Sequence, residues 1–159
     1  MKKFLIFLTA FYIGIIIFSP KENLYFTLQK YLKEQNIYIN SDINSNLFSL
    51  NLKNAKVFVN KINLINFKKA SFYPFIFFNK ITVNDIDINV QDLNIKKLNV
   101  VYSVIKPLKI KIVGESNFGK IDGFIDLTKQ YLKVYIKNPK KIISFLRKDK
   151  KGYYFYEKF

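Results

Sequence analysis

From Ile37 onward, apolar side chains recur at every second residue, and this constrains the fold more than any other feature of the chain. Phe48, Leu50 and Leu52 alternate with Ser49 and Asn51. Ile86, Ile88 and Val90 belong to segments interleaved with Asp85, Asp87, Asn89 and Gln91. Leu108, Ile110 and Ile112 alternate with Lys109 and Lys111, and Leu132, Val134 and Ile136 with Lys133 and Lys137. A period of two sends successive side chains to opposite faces of a strand, so each segment predicts a strand with one apolar and one solvated face. Such strands favour antiparallel pairing, because parallel sheets are covered on both faces.

The apolar phase slips by one residue in three places: Val59-Asn60-Lys61-Ile62, Val83-Asn84-Asp85-Ile86 and Val90-Gln91-Asp92-Leu93. A two-residue hairpin produces this slip, with Val59 opposing Ile62 and Val57 opposing Leu64. A β-bulge within a longer strand produces it equally well. Their unequal spacing indicates a meander rather than a fixed-period solenoid.

Some eight to ten short strands with one apolar face cannot be covered as a flat sheet by two helices. That face must be closed by curling, by splitting into a sandwich, or by a ligand or partner. Gly119 and Gly123, two of only five glycines, lie on one side of a strand or across a tight turn. There they permit curvature or close backbone approach. The expected fold is therefore mainly β: a curved, trough-like antiparallel meander behind an N-terminal transmembrane helix. A short helix after the anchor and a basic amphipathic helix near the C-terminus complete it.

The anchor is the uncharged stretch 4–18 behind Lys2 and Lys3. Its apolar residues are Phe4, Leu5, Ile6, Phe7, Leu8, Phe11, Tyr12, Ile13, Ile15, Ile16, Ile17 and Phe18. At 1.5 Å per residue it spans about 22 Å, short of the ~30 Å hydrocarbon core and also compatible with a signal-peptide core. The exit Ile17-Phe18-Ser19-Pro20 lacks the small-residue pair of a cleavage site, which favours an uncleaved anchor lengthened by snorkelling lysines. Ser19-Pro20-Lys21-Glu22 has the form of a capping box opening a second helix over 20–36, striped by Leu24, Tyr25, Leu28, Tyr31 and Leu32. The expected division is 1–19 anchor, 20–36 amphipathic helix, and 37–159 a β domain that includes a helix over 139–150.

Two segments depart from clean alternation. Phe72, Tyr73, Pro74, Phe75, Ile76, Phe77 and Phe78 are apolar on both faces, so they are covered twice or touch lipid or a partner. Over 139–150, Ile142, Ile143, Phe145 and Leu146 form a helical stripe among Lys140, Lys141, Arg147 and Lys148. This stripe suits either anionic headgroups or a lid over the open sheet end. A last strand follows with Tyr153, Tyr154, Phe155 and Tyr156. These aromatics, with Phe72, Phe75, Phe77 and Phe78, are the candidate partner or lipid surface.

Twenty-seven Lys and Arg face eleven Asp and Glu, for a net charge of +16. The lysines are spread over nearly every segment, and a single Arg is too few for bidentate base reading, which argues against nucleic acid. Without Cys or His the chain has no thiol nucleophile, no disulfide, no imidazole base and no usual transition-metal ligand. Asp85, Asp87 and Asn89 share a face in a pattern that calcium can use, but solvated strand positions explain them as well. Asp122 and Asp126 share a strand face with Lys120 and read as cross-strand charge partners. No catalytic, cofactor or metal site is expected.

The anchor ending in Phe18-Ser19-Pro20, the helix behind it, Leu47–Val57, and the stretch 119–127 followed by 131–136 together resemble the general secretion pathway protein N family. They are similar also to the broader AsmA-like proteins. The resemblance implies a single-pass anchor in the bacterial inner membrane and a periplasmic curved sheet with a hydrophobic concave face. It also implies a non-enzymatic role as an assembly subunit of a secretion-type or other envelope machine, with protein partners. The AsmA-like alternative is a lipid-binding or lipid-transfer trough with an acyl-chain ligand.

Overall fold

The computed structural model describes residues 2–75, 77–89, 93–140 and 142–159. Helices α1 (Lys2–Phe18) and α2 (Lys21–Glu34) precede the strands. These are β1 (Ile37–Ser45), β2 (Leu50–Val59), β3 (Ile62–Pro74), β4 (Phe78–Ile88), β5 (Leu93–Ser103), β6 (Lys109–Ser116), β7 (Gly119–Asp126), β8 (Tyr131–Lys137), β9 (Arg147–Asp149) and β10 (Gly152–Lys158). All ten form one open antiparallel sheet in the order β1-β2-β3-β4-β5-β6-β7-β8-β10-β9. The predicted meander thus holds until β10 inserts between β8 and β9.

The first phase slip is a hairpin. Val59 pairs with Ile62 across Asn60 and Lys61, both at positive φ (49° and 69°), as a type I′ turn demands. A register shift beyond Val57 then sets Val57 against Ile65, not Leu64. The second slip is an irregularity inside the continuous strand β4, where Asp85 sits at φ 52°. Residues 90–92 of the third lie outside the described residues.

The Asp85 irregularity belongs to a crease that crosses five strands. It lines up with the register shift at Asn40/Asp42 in β1, with Asn54 at φ 50° in β2, with Lys68 in β3 and with the shift at Ile95/Lys97. On one side of it the inward residues are Leu50, Leu52, Ala70, Phe72, Ile81 and Val83; on the other they are Ala55, Val57, Ile65, Phe67, Ile86 and Ile88. Parity changes at the crease, so one face stays apolar along its whole length. Lys68 and Asp85 meet there in an exposed ion pair at 3.7 Å.

The core is thin. Among the described residues ten hydrophobic residues are buried, and no large side chain is fully enclosed. The main cluster is Phe118, Ile121, Ile136 and Ile142, with Leu93, Ile95, Leu98, Ile112, Val134 and Leu146 against it. In β7, Gly123 lies so close to β8 that an added Cβ would stand 2.6 Å from the Lys133 carbonyl oxygen and 2.7 Å from the Val134 Cα. Only glycine permits that approach.

The helix expected over 139–150 does not form among the described residues. Ile143–Phe145 make a single 3₁₀ turn, and Arg147–Asp149 become β9. The Asp149 carboxylate accepts the Lys151 N–H at 2.8 Å, and Gly152 sits at φ 122°, closing a tight turn into β10. A three-turn helix is marginal alone, whereas ladder pairing of β9 with β10 is available as soon as that turn closes.

The expected capping box is also absent. The Ser19 hydroxyl donates backwards to the Ile16 carbonyl (3.1 Å), and Glu22 accepts from Ser45 instead. The Lys21 ammonium is buried and donates to the Ile16 (3.0 Å) and Ile17 (3.4 Å) carbonyls. A cation at the negative end of α1 satisfies carbonyls that a helix leaves free. The chain bends by 46° at this joint. No single helix among the described residues is long and apolar enough to cross a membrane; α1 and α2 reach that length and composition only as a bent pair.

Candidate functional site

The apolar face carries two covers and an open stretch between them. The first cover is α2. Its Gln29 amide donates to the Ile39 carbonyl (2.8 Å) and to the Tyr25 hydroxyl (2.6 Å), and Tyr25 in turn meets the Ser41 hydroxyl at 3.1 Å. These bonds hold the helix beside β1 while Leu24 and Leu28 face the sheet. Between helix and sheet lies a cavity of about 320 Å³, walled by Leu24, Leu28, Leu52, Phe67, Phe72 and Val83 among others. Its walls are almost wholly aliphatic and aromatic, and its size falls within the ordinary range for small-ligand sites.

The second cover is the segment after β8. Ile142 and Leu146 close over Phe118, Ile121 and Ile136, and the Lys140 N–H donates to the Phe118 carbonyl at 3.0 Å. Between the covers, Val100, Ile112, Ile125 and Val134 are only half-buried, and Phe155 is 40% exposed. A face of this kind is complementary to apolar chains and offers no polar handle for a small hydrophilic substrate.

The opposite face is polar over β2–β5, where Ser71 donates to Asn51 (2.7 Å) and Thr82 to Asn99 (2.9 Å). Over β8–β10 it becomes aromatic and basic. The Lys133 ammonium sits 4.1 Å from the Tyr154 ring centre and 4.9 Å from that of Tyr135. Asp149 accepts from Lys133 at 3.0 Å and from the Tyr135 hydroxyl at 2.9 Å. The Tyr135 hydroxyl and then the Asp149 carboxylate hold the Lys133 ammonium above its ordinary range. Partial desolvation pushes Asp149 up, but the hydrogen bonds from Lys133, the Lys151 N–H and Tyr135 outweigh it and leave the carboxyl below its usual value. Both charges are committed to each other, so the cluster fastens β9 to β8 across β10.

The structure disperses the aromatic surface read from the sequence. Phe72 faces the cavity, and Phe155 faces inward. Tyr154 and Tyr156 point to the polar face, where Tyr156 packs on Tyr131 (5.3 Å) under Arg147 (5.8 Å). Tyr153 pairs with Ile136 and lies under Lys148 at 5.4 Å. Phe75 stacks with Tyr73 (6.3 Å) and meets Phe78 at a tilt (4.8 Å), and Phe77 stacks on Tyr12 of α1 at 5.6 Å. Ile76 lies outside the described residues. Along α1, Ile16 is buried while Phe4, Leu5, Ile6, Phe7, Leu8, Phe11, Ile13, Ile15 and Phe18 are exposed.

The acidic groups do not converge. Asp85 pairs with Lys68, Asp87 accepts from Asn94 (2.5 Å), and Asn89 bonds to Asn66 and Asn63. Among the described residues no group of three or more acidic side chains stands together as a metal site. Asp126 stands opposite Lys109 of β6, but its carboxylate is buried and caps its own turn by accepting the Thr128 (3.1 Å) and Lys129 (3.0 Å) N–H groups. The α2 wall of the cavity, Leu24 and Leu28, was visible in the sequence as a stripe without a known partner. No local signal pairs Lys133 with Asp149.

Comparison of the chain with protein-family models, with curated proteins and with solved structures finds no match.

Proposed function

We propose that this is a non-enzymatic, membrane-anchored protein whose apolar sheet face holds the acyl chain of a lipid, the AsmA-like reading. The observation that carries it is the cleft between α2 and β2–β4, lined almost wholly by apolar side chains, open to solvent beside the half-exposed Leu24 and Leu28, and walled in part by a helix that follows the anchor directly. α1, exposed along nearly its whole length, supports the anchor, with the bend at Ser19-Pro20 setting α2 back along the sheet. The sheet edges weigh in the same direction. β1 is kinked at Ser41 and backed by Gln29, and β9 is three residues long with Arg147 and Lys148 exposed. Edges blunted in this way resist strand addition by a partner.

The test is displacement of a fluorescent fatty acid from detergent-solubilised chain by unlabelled lipid, repeated with Leu28→Trp, which fills the cavity from the helix side. Probe binding that drops roughly tenfold in the variant, a loss of ~1.4 kcal/mol, with unchanged far-ultraviolet circular dichroism, supports the reading. Binding unaltered by Leu28→Trp, or no binding by the parent chain, sinks it.

A second reading is an assembly subunit of a secretion-type envelope machine, for which the exposed Phe155 and the half-covered strands around it are the favouring observation. A partner there would be retained through purification in mild detergent and lost on Phe155→Asp; a chain that purifies alone opposes it.

A further inference from the structure

The turns at one end of the sheet form a continuous row. The Val104 N–H donates to the Phe77 carbonyl (3.0 Å) and so ties the β5–β6 turn to the β3–β4 turn. The Leu127 N–H donates to the Leu108 carbonyl (2.9 Å), and the Phe159 N–H to the Gln130 carbonyl (2.9 Å), which adds the β7–β8 turn and the end of the chain. Along this end Leu47, Phe77, Val104, Ile105, Leu127 and Phe159 are all exposed, Ile105 to 86%. They come from four turns and the end of the chain, Val104 and Ile105 from the same turn.

Two further observations identify what these side chains meet. α1 reaches the same end: Tyr12 stacks on Phe77, and Ile17 and Ser19 border a cleft shared with Ser45 and Leu47. The exposed charges there are mainly basic, Lys106, Lys109, Lys129 and Lys158, against Glu157 and Glu22; the Asp126 carboxylate is turned into its own turn. Apolar tips interspersed with lysines match the layered chemistry of a bilayer surface, where acyl chains begin beneath anionic phosphates.

We propose that this row of turns seats in the headgroup layer of an anionic bilayer, so that the sheet stands on the membrane by one end. This rests on the reading of α1 as a membrane anchor. It also gives the apolar cavity a supply route, because its walls Leu50 and Phe72 pair at the ends of β2 and β3 nearest the row.

The chain contains no cysteine, so single-cysteine variants take one environment-sensitive fluorophore each. The full chain is reconstituted in phosphatidylcholine vesicles with and without phosphatidylglycerol, and quenching by lipid-borne nitroxides is read at Phe77→Cys, Ile105→Cys, Lys61→Cys at the opposite end, and Phe7→Cys in α1. Quenching at Phe77→Cys and Ile105→Cys roughly threefold or more above Lys61→Cys, deepened by phosphatidylglycerol, is the expected result. Strong quenching at Phe7→Cys with none at Ile105→Cys overturns the proposal and leaves the anchor standing. Absence of quenching at all four sites overturns both. A label at Ile105→Cys shielded from aqueous quencher but not reached from the lipid assigns the row to a protein partner and overturns it too.

Discussion

The two ends of the sheet are built from similar tight antiparallel turns, yet they expose different chemistry. At the end away from α1, the turns use Asn60, Lys61 and Asn138 at positive φ, and Phe118 is folded inward to 6% exposure. Ile62 is exposed there, as are Ile143 and Phe145 in the segment after β8. At the α1 end, Asn46 accepts from the Phe48 (3.1 Å) and Ser49 (2.8 Å) N–H groups, and Asp126 caps its own turn likewise. Those side chains satisfy the turn backbone and leave the neighbouring positions free to be Leu47, Phe48 or Leu127. Backbone conformation therefore accounts for the positive-φ residues at the far end, whereas turn conformation does not account for the apolar tips at the near end, which the proposed seating places against the bilayer.

Substitutions separate the two ends by size of effect. Phe118→Ala removes the ring at the centre of the main cluster and is expected to destabilise by about 3–5 kcal/mol in denaturant titration, the range for large-to-small core changes. A loss below about 1 kcal/mol would mean that the far end is no better packed than the near one. Gly123→Val forces a side chain against the β8 backbone, and thermal unfolding should show a loss of about 1–3 kcal/mol.

Asp149→Asn tests the ion-pair cluster through pH. The folded-state carboxyl lies below its ordinary value, so its contribution is present above about pH 4 and is lost as pH falls through the folded value. The parent chain should lose stability on that acid limb, and the variant should lose less. The raised Lys133 acts oppositely: its contribution is complete below its ordinary value of 10.5 and fades only in stronger alkali. Smallest of all, Ile105→Ser should change stability in detergent by no more than about 0.5 kcal/mol, because the side chain is almost wholly exposed. A larger loss would show that the near-end turns are part of the core.

Much of the β architecture could be read from alternation, since a period-two pattern with one apolar phase leaves few options for Leu108–Ile112 or Leu132–Ile136. The phase slips were harder. Asn60-Lys61 and Asn84-Asp85 look alike locally, but one pair turns the chain and the other kinks it; what separates them is pairing with Phe67 and Lys69 on another strand. The stripe Ile142, Ile143, Phe145 and Leu146 mimics a helix because two of its members are spaced to plug the open core. Its ladder partner, β10, lies beyond the helical window in which the stripe is read. The Ser19–Glu22 box failed for a similar reason: Lys21, unremarkable in sequence, finds the free carbonyls of α1 first. The cavity required α2 and β2–β4 together, so neither half showed it alone.

Lipid counting on the intact chain tests the central claim most directly. The chain is extracted from membranes in mild detergent, and bound lipid is identified and counted by native mass spectrometry with and without Leu28→Trp. A parent chain that retains a lipid with an acyl tail, and a folded Leu28→Trp chain that does not, is the predicted result. A parent chain that is folded, monomeric and free of lipid under the same conditions would contradict it.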